Sequence, residues 1–248
     1  AELMYWDFAF VAADQIFNQV AKTRYVFGGH AKIPLVIRGQ QGTGRGNAAT
    51  HSQSLESLFM HIPGLKVVCP STPADAAGLL RTAIRDDNPV CFFEHKVLYA
   101  TKGEVPDDPD FCIPFGKADI KREGTDVTIV ANLLYVKRAL EAADELAKEG
   151  ISAEVIDPRT LVPFDYDTVA ESVKKTGRLV VVHEAHQNNG WGAQVVSQVG
   201  QMVFPYLDAA PVHIGAKACP LPFNLGLEQA VLPSVKDIVD ACKASLYR

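Results

Sequence analysis

Short apolar runs alternate with longer amphipathic segments along most of the chain. The runs contain β-branched and aromatic residues and predict buried strands at residues 33–38, 65–69, 90–94, 127–131, 153–157 and 179–183. Segments with apolar residues at helical spacing predict helices at residues 8–22, 52–61, 73–86, 136–149, 166–175, 192–204 and 235–246. This alternation indicates an α/β fold in which each mostly parallel sheet is covered on both faces.

One segment breaks this alternation near the middle of the chain. Residues 100–114 are rich in Asp and Pro and show no apolar periodicity, which is typical of a linker. The same α/β pattern occurs on both sides of this segment. We therefore expect two α/β domains, one over residues 1–112 and one over residues 113–248.

The overall composition is that of an ordinary globular protein. Hydrophobic residues make up 48% of the chain and charged residues 21%, which argues against disorder. The net charge of −5 and the scattered basic residues give no electrostatic support for nucleic-acid binding. No apolar run is long enough to cross a bilayer, so we expect no membrane partner.

The cysteines and the first residues bear on the compartment. Five cysteines, an odd number without a CxxC pair, indicate reduced thiols in an intracellular protein rather than disulfides or a metal cluster. Residues 1–10 contain no basic region followed by an apolar core, so they do not form a signal peptide, and no initiator Met is present. We expect an N-terminally incomplete protein of the cytoplasm, or of the mitochondrial matrix in a eukaryote.

Three polar motifs suggest ligands but lack the spacing that those ligands require. The glycine-rich residues 42–47 lack the Gly-Lys-Ser/Thr of a P-loop and the third glycine of a dinucleotide fingerprint, which favours a flexible loop beside an active site. The HEAH sequence that begins at His183 is one residue short of the HExxH zinc motif. The DDPD sequence at residues 107–110 lacks the glycine and terminal glutamate of a calcium loop.

His51 occupies the most suggestive position for chemistry. It lies where the glycine-rich loop meets the helix predicted at residues 52–61, with Ser52 as a candidate cap and Glu56 in the first turns. The positive end of the helix dipole favours a neutral imidazole, which can both donate and accept a proton near pH 7. From the residues alone, a catalytic histidine and a capping or loop histidine both stay open.

Several blocks of sequence point to one family. The chain resembles the β subunit of the E1 component of 2-oxo-acid and acetoin dehydrogenase complexes over essentially its whole length. The blocks that support this resemblance are AELMYWDFAFVAADQIFNQVAK, IPLVIRGQQGTGRG, HSQSLESLFMHIPGLKVVCPSTPADAAGLLRTAIRDDNPVCFFEHKVLY, GKADIKREGTDVTIVA, EVIDPRTLVPFD and SVKKTGRLVVVHEA. The third block is the most specific, because transketolase and related thiamine enzymes share the fold without that run.

The resemblance implies an enzyme of two α and two β subunits that binds thiamine diphosphate between α and β, with Mg²⁺ held by the α subunit. The first domain would be a pyrimidine-binding domain, incomplete at its N-terminus. The second would be a transketolase C-terminal-like domain that pairs the β subunits and docks onto the E2 lipoyl acyltransferase. The implied reaction is decarboxylation of a 2-oxo acid such as pyruvate, or cleavage of acetoin, with reductive acylation of lipoyl-E2.

The resemblance also assigns roles to individual residues. Met4 and Phe8 match the residues that pack against the aminopyrimidine ring, where an apolar wall excludes water. From the chain alone, both would instead be core residues of a strand-to-helix junction. His51 matches the active-site histidine that positions or protonates the substrate and assists acyl transfer to the lipoyl arm.

A potassium site is implied as well. Its ligands would be largely the backbone carbonyls of Leu35, Ala83, Ile84, Asp86 and Asn88. The residues agree with this, because the helix predicted at residues 73–86 ends there, and a helix C-terminus has unpaired carbonyls and partial negative charge. A helix end that is satisfied by water is the alternative.

The chain departs from the family in one respect. The family places a cofactor-activating glutamate on a segment before AELMYWDF, and Glu2 matches a different acidic position. A parallel sheet without its first strands exposes an apolar edge, so we expect a truncated chain that is inactive alone, or a second chain that completes the sheet. The alternative function is a non-catalytic assembly and docking module. A stand-alone transketolase-type enzyme is disfavoured, because the chain has no diphosphate-binding GDG…N segment.

Overall fold

The computed structural model describes residues 1–247 and contains two five-stranded sheets. The strands of the first sheet, in spatial order, are β1 (Glu2–Leu3), β2 (Val36–Gln41), β4 (Val90–His95), β3 (Lys66–Val68) and β8 (Thr160–Val162). Those of the second sheet are β10 (Val212–Ala216), β9 (Leu179–His186), β6 (Val127–Ala131), β7 (Ala153–Asp157) and β5 (Asp119–Arg122). Pairing is parallel except where β8 joins β3 and where β5 joins β7.

Helices connect and cover these strands. They are α1 (Ala21–Val26), α2 (Glu56–Met60), α3 (Pro73–Arg85), α4 (Leu134–Lys148), α5 (Tyr166–Thr176), α6 (Trp191–Val203), α7 (Leu225–Val231) and α8 (Val235–Ser245). Shorter turns are the 3₁₀ segments Trp6–Ala12, Leu98–Ala100 and Phe204–Tyr206 and the π-helical segment Gln15–Val20. Within residues 1–247, no helix is long and apolar enough to cross a membrane.

The two mostly parallel sheets confirm the predicted α/β fold, and each predicted strand forms. β2 begins at Val36 rather than at Ile33, because Pro34 has no N–H to donate to a strand ladder. The strands that the sequence did not predict are β1, β5, β8 and β10.

The first helix is longer and less regular than predicted. Instead of one α-helix over residues 8–22, a helical stretch of mixed geometry runs from Trp6 to Val26. Gly28 and Gly29 then adopt positive φ, which non-glycine residues avoid, and the helix ends there.

One apolar core continues from the first sheet into the second. Trp6 is fully buried; its ring stacks on Phe93 at 3.9 Å between centroids and meets Phe59 edge-on at 4.8 Å. Buried residues of the second half, including Val181 and Trp191, belong to the same cluster. The two halves of the chain are therefore packed together, and the linker is not their sole connection.

The predicted linker is exposed up to Asp110 and then packs against α3, where the Ile113 N–H donates to Gly78 O at 3.2 Å. Strand β8 belongs by sequence to the second half but pairs with β3 of the first sheet. The domain division at residues 112 and 113 stays a prediction.

Candidate active site

The carboxyl ends of three neighbouring strands of the first sheet meet at one edge. β1 leads into residues 4–8, β2 leads into the glycine-rich loop, and β4 leads into Lys96. In open α/β sheets, loops after the carboxyl ends of strands are the usual place for ligands. This edge is therefore the candidate site.

His51 packs against two aromatic side chains at this edge. The ring centroids of Tyr5 and Phe8 are 5.1 Å and 5.2 Å from that of the imidazole, and both rings are edge-on to it. Thr50 Oγ1 lies 3.0 Å from His51 Nδ1. Because Thr50 occupies Nδ1 and His51 is only partly buried, Nε2 is the ring nitrogen left for a ligand.

Met4 and Phe8 both form part of the surface at this edge, and the Phe8 ring packs against His51. Met4 is 73% exposed and Phe8 is 40% exposed, so the alternative that both are core residues is wrong. Met4 O accepts a hydrogen bond from Gln40 Nε2 at 3.1 Å, which ties this segment to β2. The exposed Met4 thioether and the Phe8 ring beside His51 offer apolar surface to a flat ligand ring.

Lys96 reaches the same place from the interior. It is fully buried, and its Nζ donates to His51 O at 2.6 Å and to Asn47 Oδ1 at 3.4 Å. The ammonium also lies 4.9 Å from the centroid of the Tyr5 ring. Burial lowers the pKa of Lys96, and three nearby carboxylates oppose that shift. Sequence reasoning missed this residue, because nothing in FEHKV distinguishes it from a surface lysine.

Side chains from other elements fix the segment that follows His51. One carboxylate oxygen of Asp7 accepts from the Gln53 backbone N–H at 3.2 Å and from Gln53 Nε2 at 2.9 Å. The Gln41 side chain accepts from the Leu55 N–H at 3.1 Å. These bonds hold the chain out of a helical path until Glu56, where α2 begins.

The capping argument for His51 is therefore wrong. No side chain caps α2, so Ser52 does not cap it and the helix dipole does not act directly on His51. Glu56 is buried, and its Oε1 accepts from Gln41 Nε2 at 2.7 Å and from Asn132 Nδ2 at 3.3 Å. Burial raises the pKa of Glu56, which favours its neutral form.

Two buried carboxylates of the second half hold the glycine-rich loop. Glu184, on β9, accepts from the Thr43 N–H at 2.6 Å and from Ser54 Oγ at 3.2 Å. Glu228, on α7, accepts from the Gly44 N–H at 3.1 Å. The loop does lie beside the candidate site, but its backbone is held at fixed points, unlike the flexible loop that the glycines predict.

The side chains of the HEAH sequence have separate partners. His183 Nδ1 lies 3.0 Å from Ala185 O, His186 Nδ1 lies 2.8 Å from Lys217 O, and Glu184 faces the loop. Burial lowers the pKa of His183 to about 4. Among residues 1–247, no three His, Cys, Asp or Glu side chains are grouped to hold a metal ion.

The residues predicted to bind potassium share one turn. Leu35 O accepts from the Val90 N–H at 2.9 Å, and Ala83 O accepts from the Asp86 N–H at 3.3 Å. Asp86 Oδ1 accepts from the backbone and side-chain nitrogens of Asn88, both at 2.8 Å. Two of the carbonyl oxygens predicted as ligands, Leu35 O and Ala83 O, therefore already accept hydrogen bonds from the protein, and a bound cation would share them.

Lys66 supplies a positive charge at this turn, because its ammonium pairs with the other carboxylate oxygen of Asp86. Burial by itself would raise the pKa of Asp86, but Lys66 and Asn88 outweigh burial and lower it. The side chain of Ile84 is an exposed hydrocarbon without a ligand atom, so only its backbone could contribute to a site. Potassium at this turn stays a prediction.

Comparison with known proteins identifies the family to which the chain belongs. The model of the transketolase pyrimidine binding domain matches residues 1–102, and that of the transketolase C-terminal domain matches residues 116–238. The acetoin:2,6-dichlorophenolindophenol oxidoreductase subunit beta of Cupriavidus necator is 54% identical over 99% of this chain and 72% of its own length. The pyruvate dehydrogenase E1 component subunit beta of Rhizobium meliloti is 48% identical over 100% of this chain and 54% of its own length.

A solved structure shows the same arrangement of elements. It is described as a split gene transketolase, inactive beta4 tetramer, and aligns with a TM-score of 0.79 at 27% identity. The alignment covers 98% of this chain and 74% of that one. The likeness therefore extends over both halves of the chain.

Proposed function

Because the chain belongs to the family of E1 β subunits of pyruvate and acetoin dehydrogenase complexes, we propose that it is the β half of a thiamine-diphosphate enzyme. With an α subunit, it decarboxylates a 2-oxo acid such as pyruvate, or cleaves acetoin, and reductively acylates lipoyl on E2. The observation that best supports this is the partly exposed imidazole of His51 beside the Phe8 ring, with the exposed side chain of Met4 on the same segment as Phe8.

The residues at this edge fit the aminopyrimidine part of the cofactor better than its diphosphate. Met4 and Phe8 offer an apolar face of the kind that a heteroaromatic ring packs against. The N–H groups of Thr43 and Gly44 already donate to carboxylates, whose negative charge would repel a phosphate. The proposal therefore assigns the diphosphate and Mg²⁺ to the α subunit.

In the reaction, thiamine diphosphate supplies the nucleophilic carbon and the electron sink. His51 holds or moves a proton at Nε2, which suits both a developing oxyanion and a lipoyl thiolate. Met4 and Phe8 exclude water from the reacting atoms. Lys96 supports the His51 backbone from the interior through its bond to His51 O.

We also propose a heterotetramer of two α and two β subunits that docks onto E2 through the second half of this chain. Large apolar side chains are exposed there: Phe204 is 76% exposed, Phe223 77% and Tyr247 79%. Such side chains are expected where other chains cover the surface. The solved relative described as an inactive β tetramer is consistent with a β subunit that needs its α partner. At the Asp86 turn, we propose a structural K⁺.

The test uses the complex assembled from this β subunit, its α subunit, thiamine diphosphate and Mg²⁺, with pyruvate and acetoin as substrates. His51→Ala is expected to fold and bind the cofactor nearly normally, and to acylate a lipoyl domain about 100-fold more slowly, as for loss of a general acid–base. His61→Ala removes an exposed histidine at the end of α2 and is the matched control. Normal acylation by His51→Ala would refute the assignment. A wild-type complex inactive with both substrates would refute the function.

A further inference from the structure

Glu184 contacts both ends of the loop that contains His51. Its Oε1 accepts from the Thr43 N–H at one end and from Ser54 Oγ at the other, and its Oε2 accepts from His95 Nε2 at 2.9 Å. Glu184 comes from β9 of the second sheet, whereas its three partners belong to the first half. A single side chain therefore closes the loop from across the two halves.

The hydrogen bonds at His95 define its tautomer. The Val97 N–H donates to His95 Nδ1 at 3.2 Å, so this nitrogen has no proton and Nε2–H donates to Glu184. Burial alone would raise the pKa of Glu184, but its interactions with His95 and the Thr43 N–H outweigh burial and lower that pKa. Both oxygens of Glu184 therefore act as acceptors, as an ionised carboxylate requires.

The contact with His95 connects Glu184 to the support beneath His51. His95 is the last residue of β4, and Lys96 follows it directly and donates to His51 O. Fixing His95 therefore fixes the strand end from which Lys96 reaches the loop. Glu184 thus restrains His51 in two ways: through Thr43 and Ser54, which belong to the same loop, and through Lys96, which donates to His51 O from the interior.

We infer that Glu184 is a positioning residue for His51, which holds the loop so that the imidazole stays packed against Tyr5 and Phe8. This inference rests on the proposed role of His51 in acyl transfer. It also connects the half of the chain that is proposed to dock E2 with the half that contains the reacting histidine.

The first test is Glu184→Gln in the assembled complex. The glutamine amide keeps the shape of the side chain, but its NH₂ faces either the Thr43 N–H or His95 Nε2–H, and one of these donors loses its acceptor. We expect kcat for lipoyl acylation to fall about 10-fold, with little change in KM for the lipoyl domain, because the loss is one of geometry. Glu184→Asp keeps the charge and both acceptors, so it is expected to recover part of the rate.

A matched control comes from the same sheet. Glu154, on β7, is also fully buried; it accepts from the Gly124 N–H at 3.1 Å and pairs with Lys175. Glu154→Gln is expected to lower the Tm while lipoyl acylation stays at the wild-type rate. If Glu184→Gln assembles poorly, Ser54→Ala removes only the hydroxyl contact and is expected to lower kcat in the same direction.

The double variant His51→Ala/Glu184→Gln separates positioning from a general loss of structure. If Glu184 acts through His51, the double variant acylates lipoyl no more slowly than His51→Ala alone. Losses that multiply would overturn the inference, and so would a wild-type kcat in Glu184→Gln. A normal rate in His51→Ala would instead refute the proposed function, so the two failures are distinguishable.

Discussion

Gly42 is the position in the glycine-rich loop where a side chain would disturb the Glu184 contacts most directly. Its φ is +88°, and a Cβ placed there would lie 2.6 Å from His95 Cδ2 and 2.7 Å from Glu184 Oε1. Real Cβ atoms do not approach other atoms that closely. Gly42→Ala must therefore separate His95 from Glu184 or move the loop.

Two costs add in this variant. A non-glycine residue in the left-handed region costs about 1–2 kcal/mol. Breaking a buried hydrogen bond to a charged group costs about 1.5–3 kcal/mol, so the expected total is about 2.5–5 kcal/mol of unfolding free energy. Gly29→Ala is the control, because Gly29 has a φ of +84° and no atom within 4 Å of a built Cβ. It should lose only the backbone part.

The assay is urea unfolding of wild type and both variants, followed by intrinsic fluorescence and by circular dichroism. The unfolding free energy of Gly42→Ala is expected to lie about 1.5–3 kcal/mol below that of Gly29→Ala, with similar slopes. Equal losses in the two variants would show that the His95–Glu184 contact does not restrict this position, and would refute the reasoning.

Two further predictions concern the cation site and a buried carboxyl group. Replacing K⁺ by tetramethylammonium at constant ionic strength should lower the Tm of wild type but not of Asp86→Asn, because a ligand that binds the folded state stabilises it. The same wild-type Tm in both salts would contradict the proposed K⁺ site. Burial raises the pKa of Asp157 to about 7, so the stability that this group contributes is fully present below about pH 4 and is lost as the pH rises through about 7. The unfolding free energy of Asp157→Asn, measured in urea across this range, should depend less on pH than that of wild type. The same pH dependence in both proteins would contradict the raised pKa of Asp157.

Local pattern predicted the elements whose stability is largely local. β4 is an uninterrupted buried run, and α3 has its Thr72 cap, with the Asp75 N–H donating to Thr72 Oγ1 at 3.1 Å. β5 and β8 are short, and each gains its pairing from a strand distant in sequence. The predicted start of α2 at residue 52 is wrong, because the Gln53 N–H donates to Asp7 instead of entering a helix. Helical periodicity in the sequence does not reveal such a contact.

The site divides in the same way. The family resemblance is confirmed. The structure packs Phe8 against His51 and exposes Met4 on the same segment as Phe8, and the roles of the three residues stay predictions. Glu184 and Glu228 escaped sequence reasoning because they lie 141 and 184 positions from the loop residues that they bind. Glu184 also stands in a sequence that suggested zinc, and its contacts are with the loop instead.

The loop around His51 explains why so many charged side chains are buried at this edge. Residues 42–55 form no helix or strand, and within this loop the N–H groups of Gly42 and His51 donate to loop carbonyls, so other N–H groups need acceptors from elsewhere. Side chains supply these acceptors to the N–H groups of Thr43, Gly44, Gln53 and Leu55. Each N–H left unpaired in the interior would cost about 1–3 kcal/mol, and a carboxylate is a stronger acceptor than a carbonyl. The same charges that satisfy the loop also restrict its motion, so a segment without regular structure can still hold an imidazole in one place.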